Sequence, residues 1–130
     1  MKITGTHHVA LCTPNYAALR EFYLTTLGLP LVGGFPGRNI IFIAAGDTTI
    51  ELIERNQPLQ LARQGWAHFA FQVENIDATA AELKAKGISF HVEPKSFPDH
   101  APSVRIAFFK DPDGNELELV QPLTDDYPQP

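Results

Sequence analysis

The sequence predicts an α+β fold in which two βαβββ modules form one curved mixed sheet with the helices on its outer side. Three observations carry that expectation. The first is an internal repeat, His8-Val9-Ala10-Leu11 against His68-Phe69-Ala70-Phe71, and self-similarity of this kind marks repeated structural units. The second is that each copy leads through an asparagine, Asn15 or Asn75, into a run with helical spacing. The third is that β-like segments and turn signals follow each helical run. A chain of 130 residues suffices for one domain with a sizeable core and is short for two. Residues 1–123 are therefore read as one domain, with modules at about 1–54 and 66–123 and a polar, proline-rich tail over 124–130.

The elements follow in order. A strand opens at His8. The first helix is expected from about Tyr16 to Leu27, with the stripe Leu19, Phe22, Tyr23 and Leu27 at three- and four-residue spacing. Gly28 ends it as a C-cap, and Asn15 suits its N-cap. Strands are then expected near Leu31–Val32, Asn39–Ala45 and Thr48–Glu54, the last two joined by a Gly46-Asp47 hairpin. Arg55 to Gly65 connects the modules. The second helix is expected from about Ile76 to Lys86, with the stripe Ile76, Ala80 and Leu83 and with Gly87 at its end. Its N-cap is Asn75 or Asp77. The last strands are expected near Ser89–Glu93, Val104–Lys110 and Glu116–Gln121, with a turn at Asp111-Pro112-Asp113-Gly114. Pro94 to Ser103 reads as a surface loop or a lid.

Composition narrows the function classes. The net charge of -5 comes with no basic stripe, which argues against nucleic acid as a partner. No apolar run is long enough to span a membrane. The N-terminus lacks the basic start and apolar stretch of a signal peptide. The single cysteine, Cys12, cannot form an internal disulfide and suits a reducing compartment. A cytoplasmic location is expected.

Strand alternation then sorts the side chains. If Val9 and Leu11 face the first helix, His8, Ala10 and Cys12 face the other way. By the same parity His68, Ala70 and Gln72 share that second face, as do Thr49, Glu51 and Ile53, and Glu116, Glu118 and Val120. A histidine opens each module and a glutamate lies in its last strand. Imidazole nitrogen and carboxylate oxygen are good ligands for a borderline divalent ion, and a shared cation offsets the cost of burying two carboxylates. His8, Glu51, His68 and Glu118 are thus the candidate metal ligands.

The chain resembles the vicinal oxygen chelate superfamily, which includes glyoxalase I, methylmalonyl-CoA epimerase, extradiol dioxygenases and the bleomycin and fosfomycin resistance proteins. The resemblance runs from about Thr6 to Gln121. It rests on His7-His8-Val9-Ala10-Leu11, Glu21-Phe22-Tyr23 with Leu27-Gly28-Leu29, Ile50-Glu51-Leu52, Ala67-His68-Phe69-Ala70-Phe71, and Asp111-Pro112-Asp113-Gly114-Asn115 with Leu117-Glu118-Leu119. It implies paired βαβββ modules and a glyoxalase-like fold. It also implies metal ligands at His8, Glu51, His68 and Glu118, and parity selects His8 over His7. The metal would be zinc, nickel, cobalt, manganese or iron. The implied activity is that of a lyase or isomerase acting on a small substrate with adjacent oxygens. Glu51 or Glu118 would act as general base through an enediolate. An extradiol-type dioxygenase and a non-catalytic small-molecule-binding protein of the resistance type are the alternatives. A homodimer is the implied assembly, with each site built from one chain or from two. Cys12 and Arg55 stand where glyoxalase I enzymes carry an arginine and an asparagine for glutathione, which argues against that substrate.

Cross-strand pairing supplies the pocket candidates. Pairing of Ala45 with Thr48 sets Phe42 opposite Glu51. Pairing of Lys110 with Asn115 sets Phe109 opposite Glu116, Ala107 opposite Glu118 and Arg105 opposite Val120. Phe42 and Phe109 would then be apolar walls or core, and Arg105 a group for a substrate anion or a solvated rim residue.

Overall fold

The structure is a computed structural model, which describes residues 4, 6–56 and 68–125. Most of the expected connector and the last residues of the expected tail lie outside this set. The chain divides into two compact units, Met1–Arg63 and Gln64–Pro130. Each is a four-stranded mixed sheet with helical structure on one face.

The first unit runs β1 (His8–Thr13), α1 (Tyr16–Glu21), β2 (Leu31–Gly34), β3 (Ile40–Ala45) and β4 (Thr48–Glu54). Its strand order is β1-β4-β3-β2. The parallel β1–β4 pair needs a crossover, and the helix supplies it. α1 continues into a π-helical turn at Phe22–Thr26. One continuous helix was expected here, but a single turn with wider hydrogen bonding is a familiar interruption. Of the expected stripe Leu19, Phe22 and Tyr23 are buried, and Leu27, just past the π-helical turn, is half-buried. The buried residues of β3 and β4 are Ile43, Ile50 and Leu52, and α1 packs on β4. Val9, expected under the helix, is 38% exposed. It lies near the start of β1, an edge strand, whereas α1 packs against β4.

The second unit repeats the plan with β5 (Phe69–Gln72), α2 (Ile76–Ala85), β6 (Phe90–Phe97), β7 (Val104–Lys110) and β8 (Glu116–Pro122), in the order β5-β8-β7-β6. Ile76, Ala80 and Leu83 of α2 are buried, with Ala107, Phe109, Leu117 and Leu119 buried on β7 and β8. β6 runs past the expected stop at Pro94. It is an edge strand, and its register shifts between Val92 and Lys95. An edge strand tolerates proline at such a bulge because no ladder donor is lost.

The two hairpins close differently. Ala45 pairs with Thr48 around Gly46-Asp47, as expected. The second hairpin is one residue longer, because Asp111 N–H donates to the Asn115 carbonyl at 3.2 Å and Gly114 N–H to the Asp111 carbonyl at 2.9 Å. Gly114 takes φ +85°, a region glycine enters without a Cβ penalty. The buried Asp111 carboxylate fixes the loop by accepting from Asp113 N and Asn115 N, each at 2.9 Å. Lys110 therefore pairs with Glu116, not with Asn115. None of the helices among the described residues is long and apolar enough to cross a membrane.

Candidate metal centre

Within each unit one sheet face is covered by a helix, and the candidate ligands belong to the other. In the first unit Ala10 stands opposite Glu51 across β1–β4, and Phe42 stands opposite Glu51 across β3–β4. His8 heads β1, with its ring centroid 5.8 Å from that of Phe42. Glu51 is half-buried. The apolar core on the helix side fixes this arrangement. Ile50 and Leu52 are buried there, so the residue between them must project from the opposite face.

The second unit places its pair in the same register. Ala70 stands opposite Glu118 across β5–β8, and Phe108 stands opposite Glu118 across β7–β8. His68, directly before β5, brings Nε2 to 2.9 Å from Glu118 Oε2. Its ring lies 5.5 Å from that of Phe108. Glu118 is 9% exposed. Burial pushes its carboxyl above the usual carboxylate range, while the charge of His68 and its hydrogen bond pull the other way. A carboxylate that loses water and gains only an imidazole is incompletely compensated. A divalent cation would complete it, and the nitrogen and oxygen donors suit zinc, nickel, cobalt, manganese or ferrous iron. Among the described residues no three or more histidine, cysteine, aspartate or glutamate side chains gather into a group that could hold the ion. Each unit holds one of the candidate histidines and one of the candidate glutamates.

Two pocket expectations are corrected by the longer hairpin. Phe109 stands opposite Leu117 and Arg105 opposite Gln121. Phe109 is fully buried on the helix side, with its ring 5.2 Å from that of Phe90. Arg105 turns toward α2 and donates to Asp77 Oδ1 at 2.7 Å and to Ser96 Oγ at 3.2 Å. It ties a strand to a helix. Phe42 keeps its expected position opposite Glu51.

Two residues that the sequence reading missed stand on the ligand face instead. Phe108 is the true counterpart of Phe42. His91, in the irregular part of β6, reaches Glu116 Oε2 at 2.8 Å, with its ring 6.2 Å from that of Phe108. Lys110 Nζ lies 3.6 Å from the other oxygen of Glu116. Phe108 was detectable by matching it to Phe42 through the repeat. His91 carries no sequence signal, because a bulge breaks the alternation that would place it.

Residues 5–119 match the Glyoxalase/Bleomycin resistance protein/Dioxygenase superfamily, and the chain belongs to that family. Its members bind small molecules, commonly with a divalent metal, and include both enzymes and non-catalytic proteins. Human mitochondrial methylmalonyl-CoA epimerase is 29% identical over 88% of this chain and 72% of its own length. A glyoxalase family protein from Enterococcus faecalis is 30% identical, with a TM-score of 0.73 over 92% of this chain and 99% of its own. TnmS3, an antibiotic binding protein from Streptomyces sp. CB03234, is 25% identical, with a TM-score of 0.73 over 94% of this chain and 98% of its own.

Proposed function

We propose that the chain is a cytoplasmic, divalent-metal-dependent enzyme of the lyase or isomerase kind that moves a proton on a small substrate with adjacent oxygens. The two units act as one domain. His8, Glu51, His68 and Glu118 hold one ion, with the half-sets drawn from one chain or from two copies of a homodimer. The observation that carries this reading is the repeated register, which sets an alanine, a glutamate and a phenylalanine side by side in both sheets, with a histidine two residues before each alanine. A protein that only binds an apolar ligand has no need of two buried or half-buried carboxylates in equivalent places.

When bound, the ion supplies a positive centre that stabilises negative charge developing on the substrate oxygens. The remaining chemistry belongs to the chain. One glutamate carboxylate takes the proton from carbon next to a carbonyl and returns it to the neighbouring carbon. The buried setting of Glu118 favours the protonated intermediate state of that cycle, and burial is how such groups are tuned. Phe42 and Phe108 flank the carboxylates and keep water off the reacting carbon. His91, Glu116 and Lys110 form a polar margin beyond Phe108.

A binding protein is the second reading. Phe35, 51% exposed, has its ring 5.8 Å from that of Phe42, an aromatic surface suited to a flat ligand, and TnmS3 is an antibiotic binding protein. Metal analysis separates the two. The protein purified without chelator should contain about one divalent ion per site, and nickel or zinc should raise its melting temperature. His68→Ala should abolish both effects. Protein that carries no metal and gains no stability from added nickel, zinc, manganese or iron would favour the binding reading.

A further inference from the structure

His7 does not behave as strand alternation predicts. β1 begins at His8, so His7 precedes the ladder and its side chain is free of the period-2 rule. Thr49 Oγ1 donates to the His7 carbonyl at 2.8 Å and holds the backbone against β4. The His7 ring then lies on the same side as His8, 6.4 Å from the Phe42 ring. The two imidazoles meet edge to face, with His7 Nδ1 2.9 Å from His8 Nδ1.

That contact has only two forms for neutral rings, because one Nδ1 must donate and the other accept. If His7 donates, the His8 proton sits on Nε2 and that nitrogen cannot bind a cation. If His8 donates, its Nε2 carries a lone pair and His7 keeps its own proton on Nε2. A metal-binding histidine commonly donates its other N–H to a fixed acceptor, which sets the tautomer and the ring orientation. We infer that His7 is the positioning residue that accepts from His8 Nδ1–H and keeps His8 Nε2 free for a divalent cation. This rests on the metal reading for what it achieves, but the tautomer itself is a property of the metal-free chain.

The test has two arms. Long-range proton–nitrogen correlation spectra of metal-free, labelled protein at about pH 8, above the ordinary imidazole range, report which ring nitrogen holds the proton. The expected result is an Nδ1–H tautomer for His8 and an Nε2–H tautomer for His7. His7→Ala should return His8 to the Nε2–H form that predominates in free histidine. His7→Asn, whose Oδ1 sits near the place of Nδ1, should restore the native form. In the second arm, nickel titration should show a roughly 10- to 100-fold loss of affinity in His7→Ala, the usual scale for an outer-shell partner. His7→Asn should recover most of it, and His8→Ala should lose more. An Nε2–H tautomer for His8 in the native protein, or unchanged nickel affinity in His7→Ala, overturns the inference. So does a His7→Ala loss as complete as that of His8→Ala, which would make His7 a ligand. A chain that takes up no nickel in any variant overturns the proposed function instead, and the spectra still decide the tautomer.

Discussion

The two units share a backbone plan and differ in what their histidines touch. Each places its histidine two residues before an alanine that stands opposite the glutamate, Ala10 with Glu51 and Ala70 with Glu118. In the second unit His68 hydrogen-bonds Glu118 itself. In the first, His8 meets His7. The residue before the histidine is His7 in one copy and Ala67 in the other, so only the first offers a neighbouring imidazole. The carboxylates differ as well, since Glu118 is buried and Glu51 half-buried. A common frame therefore fixes where a candidate ligand stands, while one neighbouring side chain decides how it is held.

The largest expected effect concerns the aromatic residues of β7. Phe109→Ala should cost about 3–5 kcal/mol of stability, as expected for truncating a buried phenylalanine. Phe108→Ala should cost about 1 kcal/mol, nearer to an average substitution, and should weaken substrate binding. Denaturant unfolding of both variants checks this. Equal losses would mean that the hairpin register is wrong and that Phe109 shares the ligand face after all.

The glutamates come next. Glu51→Gln and Glu118→Gln should each keep measurable metal, because an amide oxygen still coordinates. Each should lose turnover by roughly a hundredfold or more, the scale of a missing general base. The assay compound is whichever responds in a screen of α-keto hemithioacetals, acyl-CoA thioesters and catechols with metal-loaded protein. A mild Glu51→Gln beside a severe Glu118→Gln would break the equivalence of the units and point to a two-histidine, one-carboxylate oxygenase. Full activity in both variants would remove them from the mechanism.

Much of this architecture is legible in the sequence because two periodicities are strong. The alternation in Thr49-Ile50-Glu51-Leu52 and in Leu117-Glu118-Leu119 puts apolar residues in the core and the glutamate on the other face; burial alternates with it in the first segment, whereas all three residues of the second are buried. The stripe of the second helix is buried as spaced, and that of the first through Leu19, Phe22 and Tyr23. What failed did so where a single backbone residue escapes the period. The second hairpin loop takes in Asn115 beyond the expected turn, and that slip moves Phe109 and Arg105 to the helix face and brings Phe108 to the face of the candidate ligands. His7 lies one residue outside its strand, so parity says nothing of it. His91 lies in a bulge. Side-chain pairs such as His91 with Glu116 span strands distant in sequence, and no local pattern reveals them.

The smallest expected effect lies at the helix entrances, where the repeat appears most exact in sequence and is least so in structure. Asn15 and Asn75 occupy matching positions, yet only Asn75 caps with its side chain, accepting from Ala78 N at 3.1 Å. Gln121 of β8 adds a second acceptor there, for Ile76 N at 2.8 Å. In the first unit the entrance is set by the residue two before Asn15. The buried Thr13 hydroxyl accepts from Asn15 N at 2.8 Å. Asn75→Ala should therefore cost about 1 kcal/mol, the usual loss for an N-cap, and Asn75→Ser should cost almost nothing. Thr13→Val removes the corresponding acceptor of the first unit at nearly constant volume, and should also cost about 1 kcal/mol, the net worth of a typical hydrogen bond. Thr13→Ser keeps the hydroxyl and should retain most of the stability. Thermal unfolding of the four variants resolves these differences. If Asn75→Ala and Asn75→Ser lose the same amount, the cap contributes nothing and α2 is held by its buried stripe alone. If Thr13→Val is neutral, the first helix does not depend on that hydroxyl, and the two entrances differ in geometry without differing in energy.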